Sequence, residues 1–218
     1  MKLLIDYQYF GTVNYYKMLF KFKYIEFEEY EHYQKGSFRN RTIIPGANGL
    51  IPLSVPLQNG RDQRALFKDI KISYKDNWFL QHTRALDACY MRAPFYEFYR
   101  DNLFALLANQ EEYLMDLDRK LIQWVFKMLK ANLTISFTTS YQKDLSIDLQ
   151  DGRNRFLPNH AIAVEDQVNY RQVFEDRIGF QPNMSILDLL FCNGPAATGL
   201  LKTAVADFSV SLMGICGL

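Results

Sequence analysis

The densest group of reactive side chains in the sequence falls within ten residues. It combines one imidazole, three cations and two carboxamides: His32, Gln34, Lys35, Arg39, Asn40 and Arg41. Arg39 and Arg41 are two residues apart, so in an extended segment both guanidinium groups would project to one face and grip a phosphate or carboxylate. Lys35 would add a point charge, and the carboxamides of Gln34 and Asn40 would hydrogen-bond polar groups of the same molecule. The segment therefore predicts a site for an anionic small molecule that contains phosphate.

A second interpretation of the same segment is a solvated loop. Glu28, Glu29 and Glu31 precede the cations and can neutralise them. Composition alone does not separate the two interpretations. Under the first of them, His32 is the candidate general base, because a neutral imidazole beside cations stays deprotonated near pH 7 and can accept a proton.

Aromatic side chains crowd the N-terminal part of the chain. Seven of the 14 tyrosines lie in the first 33 residues, and a tyrosine offers an apolar face and a polar tip that suit a sugar ring or a base. Tyr9 and Phe10 stand where a first predicted strand meets a helix, a position at which α/β proteins commonly hold anionic ligands. Both are candidates for stacking on a substrate ring. The alternative is a tyrosine-rich core with solvated edges.

Two further pairs have a structural interpretation beside a functional one. Trp78 and His82 share one face of a predicted helix and are candidates for substrate binding, although such a pair more often closes the edge of a core. Asp116 and Asp118 resemble the paired carboxylates with which some glycosyltransferases hold a metal. In the first turn of a predicted helix, however, these carboxylates would simply complement the helix dipole.

Ser185 and Asp188 have the spacing of a helix capping box, with aspartate in place of the usual glutamate. The short helix that they open would end at Asn193-Gly194-Pro195. Asp188 is a second catalytic candidate, although the capping role is the favoured interpretation.

Motifs of several large enzyme classes are absent from the sequence. It contains no GxxxxGK(S/T), GxGxxG, HExxH, CxxC or GxSxG pattern, which disfavours P-loop NTPases, zinc proteases and serine hydrolases. The three histidines are too far apart in the chain to predict a metal site. We expect neither a metal nor a cofactor.

The length and composition describe the chain that must position these side chains. It has 218 residues, of which 49% are apolar and 22% are charged, so we expect one folded domain. The net charge of +1 supplies no general field for nucleic acid, and no nucleic-acid partner is expected. The three cysteines are too scattered for a disulfide framework. Asp6 interrupts the first apolar stretch too early for a secretion signal, so we expect a cytoplasmic protein.

The most membrane-like stretch covers residues 196–218. Lys202 and Asp207 interrupt it well short of the roughly 18 apolar residues that a membrane span requires, so no span is expected. We interpret it as an apolar extension that docks, as a helix or a strand, on a single domain of residues 1–195.

Hydrophobic periodicity predicts an α/β fold with a mixed sheet, opened by a βαβ unit and followed by a helical middle segment; an α+β arrangement is the alternative. Residues 2–7, 13–20 and 24–27 are predicted as strand, helix and strand, with Thr12 as a candidate cap. The two strands of such a unit run parallel.

Turn and proline signals predict the remaining elements. Asn48-Gly49 between two apolar runs predicts a hairpin over residues 41–57, whose second strand Pro52 and Pro56 confine to a sheet edge. The other predicted elements are a strand at 70–73, helices at 78–91, 94–107 and 113–129, a strand at 133–138 and an irregular loop at 139–167. Pro94 takes a first-turn position in the second of these helices.

Several motifs occur in one order along the chain. They are Gln8-Tyr9-Phe10, His32-Tyr33-Gln34-Lys35, Phe38-Arg39-Asn40-Arg41, Leu53-Ser54-Val55-Pro56, Trp78 with His82, Ala93-Pro94-Phe95, and residues 185–195. That order resembles the WbqC-like family of bacterial proteins over about residues 3–195. The resemblance implies a component of surface-polysaccharide or O-antigen gene clusters, for which transfer of an amino-acyl or acyl group to a sugar has been supposed. Gly11 stands where family members usually carry proline, so the first loop is expected to be more flexible.

The residues and the resemblance together lead to two hypotheses. The first is a cytoplasmic transferase that acts on a nucleotide-activated sugar, with Lys35, Arg39 and Arg41 holding phosphates and His32 as the base. The second is a non-catalytic binding or scaffold protein of a polysaccharide-assembly complex, whose aromatic surface and C-terminal extension contact protein partners.

Overall fold

A computed structural model describes residues 1–60, 64–158 and 167–203 of the chain. The strands are β1 (Lys2–Ile5), β2 (Tyr24–Phe27), β3 (Arg41–Gly46), β4 (Gly49–Ser54), β5 (Thr134–Phe137) and β6 (Leu149–Asp151). The helices are α1 (Val13–Leu19), α2 (Trp78–Tyr90), α3 (Tyr96–Ala108), α4 (Leu114–Met128), α5 (Glu175–Ile178) and α6 (Ile186–Asn193). The predicted α/β class is confirmed.

Four strands form a parallel sheet in the order β5-β2-β1-β6. The predicted βαβ unit is present, since β1 pairs with β2 in parallel and α1 connects them. Thr12 caps α1 as predicted, because its hydroxyl oxygen accepts a hydrogen bond from the backbone N–H of Tyr15. Leu3 and Ile25 lie side by side in the register and are fully buried, so this face of the sheet contributes to the core.

The predicted hairpin is also confirmed, but it forms a sheet of its own. β3 and β4 pair with each other in antiparallel fashion and not with the parallel strands. Gly49 lies in the turn with φ of +131°, a conformation that a side chain would disfavour. The strand predicted at 70–73 was wrong: Lys71 and Ile72 form only isolated bridges.

The three predicted middle helices correspond to α2, α3 and α4, with one difference at the start of α3. Its N-cap is Phe95, so Pro94 lies just before the helix and not in its first turn. The tyrosine-rich core interpretation is confirmed for Tyr7, Tyr9, Tyr15 and Tyr16, which are all buried. It was wrong for Tyr24 of β2, which was also expected in the core and is 47% exposed.

Strand β6 was missed by the sequence analysis, which treated residues 139–167 as an irregular loop. Leu149, Gln150 and Asp151 pair in parallel with β1. A three-residue strand without an alternating apolar pattern carries no periodic signal, so only its partner strand identifies it. Residues 159–166 of this predicted loop, which include His160, lie outside the described residues.

The first part of the predicted C-terminal extension packs against the domain. Ala197 and Leu201 are fully buried, and the Thr198 hydroxyl donates a hydrogen bond of 2.6 Å to the carbonyl of Leu129. Residues 204–218 lie outside the described part of the chain. Within the described part, none of the helices has both the length and the apolar character needed to cross a bilayer.

Candidate functional site

All four parallel strands end at one edge of the sheet, and polar residues follow each of them. Asp6 follows β1, Glu28 follows β2, Thr138 follows β5, and Arg153 and Asn154 come shortly after β6. The chain proceeds from β1 to β2 on one side, whereas β6 pairs with β1 on the other side. The gap between the ends of β1 and β6 is therefore the switch point of the sheet. Open α/β sheets bind their ligands at such a point.

A cluster of four polar side chains, the Arg39 cluster (Asp6, Glu31, Arg39 and Asn154), occupies this switch point. Arg39 Nε and Nη2 donate to Glu31 Oε1 at 2.9 and 2.5 Å, and Nη2 also donates to Asn154 Oδ1 at 2.8 Å. Asp6 Oδ2 lies 3.8 Å from Arg39 Nη2. The backbone N–H of Asn154 donates to Asp6 Oδ1 at 2.7 Å, so the loop after β6 is joined to the loop after β1.

The charged groups of the Arg39 cluster are buried, and two carboxyl groups, Asp6 and Glu31, face the single guanidinium of Arg39. The side chain of Arg39 is 0% exposed and that of Glu31 is 5% exposed. Burial raises the pKa of Glu31 to about 7 against the opposing effect of Arg39, and the negative charge of Asp6 adds to the rise. Burial lowers the pKa of Arg39, but the Asp6 and Glu31 carboxylates outweigh it, so the guanidinium stays charged. Glu31 is thus able to exchange a proton near neutral pH.

Hydrogen bonding around the Arg39 cluster is incomplete. Arg39 Nη1 and Gln8 Oε1 are buried without a hydrogen-bond partner, and so are both carboxylate oxygens of Asp118. Asp118 is fully buried, and its charge interacts with that of Arg39. Buried polar groups in native proteins are nearly always paired, so Arg39 Nη1 is a buried donor that remains available for a further hydrogen bond.

A second group of polar residues lies beside the ends of β2 and β5. Glu28 is fully buried there, and its Oε2 accepts a hydrogen bond of 3.0 Å from Arg153 Nη1. The guanidinium of Arg153 also donates two hydrogen bonds to Asp151, from Nε to Oδ1 at 3.0 Å and from Nη2 to Oδ2 at 2.9 Å. Because Arg153 precedes Asn154 in the chain, this group adjoins the Arg39 cluster.

Glu28 borders a cavity of about 190 Å³, which we call the Glu28 pocket. Its walls are formed by Leu4, Glu26, Glu28, Phe137, Thr138, Thr139, Ser140, Gln142 and Leu149. The pocket thus combines carboxylate, hydroxyl and amide groups with a short apolar wall.

The prediction that Arg39 and Arg41 project to one face was wrong. The expectation required an extended segment, but Arg39 lies in a turn and its guanidinium is directed to Glu31. Arg41 begins β3 and its Nη2 donates to the carbonyl of Gly36 at 2.8 Å. The predicted neutralisation by glutamates is correct for Arg39, which pairs with Glu31. This ion pair is buried, however, and does not lie in a solvated loop.

The remaining candidates of the same segment divide between interior and surface. Asn40 is buried with both ends of its amide engaged, by the Tyr33 hydroxyl at 3.0 Å and the carbonyl of Val55 at 2.9 Å. Gln34 is half-buried and Lys35 is exposed. His32 is exposed, and its Nδ1 lies 3.0 Å from the carbonyl oxygen of Arg64. A carbonyl only accepts, so Nδ1 carries a proton and the neutral ring has its lone pair on Nε2.

Tyr9, Phe10, Trp78 and His82 come together in the interior and not at the carboxyl edge. The Tyr9 hydroxyl donates to His82 Nδ1 at 2.8 Å, while His82 Nε2 donates to the carbonyl of Ser54 at 3.2 Å. Burial lowers the pKa of His82 to about 4, so the ring is neutral. Trp78 packs edge-on against His82, and Phe10 packs edge-on against Tyr9. Because all four are buried, their stacking faces are used by the core.

Asp188 does not complete a capping box. Ser185 does cap α6, since its hydroxyl oxygen accepts from the backbone N–H of Leu187. The Asp188 carboxylate instead accepts three hydrogen bonds, from the Tyr90 hydroxyl at 2.9 Å, the Tyr170 hydroxyl at 2.7 Å and Gln172 Nε2 at 2.9 Å. The capping role predicted for this side chain was wrong, because tertiary donors compete successfully for the carboxylate.

The predicted helix-dipole role is also wrong for Asp118. Asp116 lies in the first turn of α4, but Asp118 comes after it and is buried in the core. Asp118 lies on the inner face of α4, so it is surrounded by the core and does not interact with the dipole at the first turn.

Three members of this edge were not predicted from the sequence: Asp6, Arg153 and Asn154. Glu31 was predicted only to neutralise the neighbouring cations. Asp6 carried a signal, because a carboxylate directly after the first strand of a βαβ unit lies at the carboxyl edge. Arg153 and Asn154 carried none, since they depend on the unpredicted β6. Among the described residues, no three His, Cys, Asp or Glu side chains stand close enough together to hold a metal ion.

The WbqC-like protein family matches residues 8–152 of the chain. A protein of Mycobacterium tuberculosis called uncharacterized protein Rv1507c is 28% identical over 201 residues, which cover 78% of this chain and 84% of the mycobacterial protein. No solved structure matches the chain. The family match spans two thirds of the sequence and includes Asp151, Arg39, Glu31 and Glu28, and we conclude that the chain belongs to the WbqC-like protein family.

Proposed function

We propose that the protein is a cytoplasmic transferase that modifies a nucleotide-activated sugar by acyl or amino-acyl transfer in surface-polysaccharide biosynthesis, and that the Arg39 cluster is its reacting site. The observation that carries this proposal is a buried, unequally charged cluster at the switch point of a parallel sheet. A purely structural ion pair needs neither that position nor unpaired polar atoms beside it.

Glu31 supplies the proton transfer in this proposal. In acyl transfer, a sugar hydroxyl or amine attacks the acyl carbonyl and loses a proton as its new bond to carbon forms. The bond from that carbon to the leaving group then breaks, and the leaving group takes up a proton. Glu31 accepts the first proton and returns it to the leaving group, which suits a carboxyl with a pKa of about 7.

Arg39 holds the negative charge that develops on the acyl oxygen. Its Nη1 is buried and without a hydrogen-bond partner, so it can donate to that oxygen without breaking the pairs to Glu31 and Asn154. Donors that are already oriented in a dry site stabilise such charge most strongly. The phosphates of the nucleotide-activated sugar are proposed to be held by Lys35, Gln34 and Arg41, which lie on the outer side of the same segment.

His32 is the competing candidate for the base. Its exposed ring is oriented by the carbonyl of Arg64, and Nε2 of the neutral ring is an acceptor. Glu31 and His32 are adjacent in the chain, but only Glu31 belongs to the Arg39 cluster. The variants Glu31→Gln and His32→Ala distinguish the two candidates for the base.

The test is a transfer assay with purified protein, a panel of nucleotide sugars and acyl-coenzyme A species, in which products are detected by mass spectrometry. Glu31→Gln keeps the shape of the side chain but cannot accept a proton, and it should reduce product formation at least about 100-fold, the usual contribution of general acid–base catalysis. Glu97→Gln, on an exposed glutamate of α3, is the matched control and should be as active as the wild type. Loss of activity in His32→Ala with full activity in Glu31→Gln would assign the base to His32 instead.

A second candidate function is a non-catalytic component of a polysaccharide-assembly complex. It is favoured by exposed apolar side chains near the start of α3, where Phe98 is 80% exposed and Met91 is 57% exposed. Phe95 packs beside Phe98, so the apolar surface there is continuous. Absence of any product across the panel, together with co-purification of an assembly protein that Phe98→Ser abolishes, would support this function over the transferase.

A further inference from the structure

Four exposed lysines lie near the amino ends of the parallel strands, at the edge of the sheet opposite the Arg39 cluster. We call them the basic edge: Lys23, Lys127, Lys130 and Lys202. Lys23 directly precedes β2, while Lys127 lies in the last turn of α4 and Lys130 shortly after it. The dipole of α4 accounts for Lys127, but it does not account for Lys23, which precedes a strand.

The lysines of β2 and α4 are brought together through β5. The backbone N–H of Thr134, the first residue of β5, donates a hydrogen bond of 2.9 Å to the carbonyl of Lys23. Only three residues separate Thr134 from Lys130 in the chain. Lys23, Lys127 and Lys130 therefore lie at the same corner of the molecule.

Lys202 reaches this corner from the C-terminal part of the described chain. Its Nζ lies 5.8 Å from the centre of the Phe20 ring, and Phe20 is the C-cap of α1, three residues before Lys23. Four residues before Lys202, the Thr198 hydroxyl donates to the carbonyl of Leu129 at the end of α4. Three segments that are far apart in the sequence thus contribute ammonium groups to one edge.

Positive charge at the basic edge meets little negative charge. Residues 13–25, 119–143 and 189–203, the segments that form this corner, contain no aspartate or glutamate. Asp148 shares a cavity wall with Tyr24 and offsets one of the four charges. Because the whole chain has a net charge of only +1, the rest of it carries a net negative charge. The positive field is therefore local to this edge.

Apolar side chains lie among these lysines and follow them in the sequence. Tyr24 is 47% exposed, and Met128 is half-buried. Beyond the last of the four lysines, the sequence of residues 204–218 is mostly apolar, and Asp207 is its one charged residue. Lysine and tyrosine side chains beside an apolar segment are typical of proteins that bind at the interface of a membrane. A nucleic acid would use the lysines but not the apolar side chains.

We propose that the basic edge docks the protein on the surface of a membrane that contains anionic lipids. The ammonium groups are attracted to the lipid phosphates, and the apolar side chains of the edge enter the interface. In this orientation the amino ends of the strands face the bilayer, and the Arg39 cluster faces away from it. The inference does not depend on the proposed function, because it uses no residue of the Arg39 cluster.

The test is flotation of the full chain with vesicles of phosphatidylcholine alone and of phosphatidylcholine mixed with phosphatidylglycerol. The protein should bind the mixed vesicles at least about tenfold more tightly, and should dissociate as the salt concentration rises. Lys23→Gln/Lys127→Gln should weaken this binding at least about tenfold, since each lysine beside an anionic surface contributes about fivefold. Lys75→Gln/Lys143→Gln removes two exposed lysines elsewhere and should bind like the wild type.

Equal binding to the two kinds of vesicle, absence of binding to either, or full binding by Lys23→Gln/Lys127→Gln would each overturn the proposal. A titration with a short double-stranded DNA at the same salt concentration tests the other polyanion. Binding to this DNA as tight as binding to the mixed vesicles would identify a general polyanion surface and overturn the assignment to a membrane.

Discussion

Asp188 and Asp118 are both fully buried carboxyl groups, yet their surroundings differ completely. Asp188 accepts hydrogen bonds from two tyrosine hydroxyls and one amide, and it ties α6 to α2 and to the segment at 170–172. Neither oxygen of Asp118 has a hydrogen-bond partner. Burial raises the pKa of both groups, but three donors oppose the rise at Asp188, whereas at Asp118 only the charge of Arg39 does.

The difference separates polar groups that stabilise the fold from those that cost it stability. The hydrogen bonds that a fully paired buried carboxylate accepts offset the free energy of its desolvation, and its removal leaves the donors unpaired. An unpaired buried carboxyl has no hydrogen bonds to offset its desolvation. Asp118 is such a group, and Arg39 Nη1 is also unpaired. We therefore expect the Asp188 network to dominate stability and the edge of the sheet to dominate function.

The largest effect on stability should come from Asp188→Ala. The substitution leaves the hydroxyls of Tyr90 and Tyr170 without their acceptor, at about 1–3 kcal/mol for each unpaired group. The Gln172 amide loses one acceptor and keeps the carbonyl of Gln181. We expect the free energy of unfolding to fall by about 3 kcal/mol or more, measured by urea denaturation. Asp188→Asn retains one acceptor oxygen and should lose less. A loss below about 1 kcal/mol in the alanine variant would show that the network is not a stabilising one.

A pH-dependent effect of intermediate size should come from Glu31. Its pKa is raised from 4.5 to about 7 on folding, so between these values the folded chain holds more protons than the unfolded chain. The wild type should therefore lose stability relative to Glu31→Gln as the pH rises from about 4.5 to about 7, by up to about 3 kcal/mol.

Comparing the two proteins at each pH cancels the titration of His82 and of the other carboxyl groups, which both contain. Glu97→Gln is the control, and its stability relative to the wild type should not change over this range. The opposite result would be a wild type that gains stability relative to Glu31→Gln as the pH rises. It would mean that Arg39 lowers the pKa of Glu31 more than burial raises it.

The smallest effect on stability should come from Asp118→Asn. Burial raises the pKa of this carboxyl and so favours its neutral form, and a neutral amide of the same shape replaces it without removing a hydrogen bond. We expect a change in the free energy of unfolding below about 1 kcal/mol in either direction, measured as for Asp188→Ala. A loss comparable to that of the Asp188 variant would contradict the contrast between the two groups.

Local signals in the sequence predicted much of the fold. The cap at Thr12, the βαβ unit around α1 and the turn at Asn48-Gly49 are each decided by residues close together in the chain, and all three are confirmed. β6 could not be predicted, because three residues without periodicity become a strand only through pairing with β1.

The candidate site was predicted less completely than the fold. The sequence indicated the segment around Arg39, and Glu31 was already recognised as able to neutralise its cations. Burial of this pair and its junction with Asp6 and Asn154 depend on packing between elements far apart in the chain. The same reason accounts for Asp118 and Asp188, whose roles were assigned from their helix positions and are decided by tertiary contacts.

The most direct test of the central claim follows two side-chain NMR signals during one titration. The Nε–H of Arg39 reports on the Arg39 cluster, and the Nε2 amide of Gln172 reports on the Asp188 network. With a nucleotide sugar that raises the melting temperature of the protein, the Arg39 signal should shift with the ligand concentration while the Gln172 signal stays in place. A stabilising nucleotide sugar that leaves the Arg39 signal unchanged would contradict the assignment of function to this edge of the sheet.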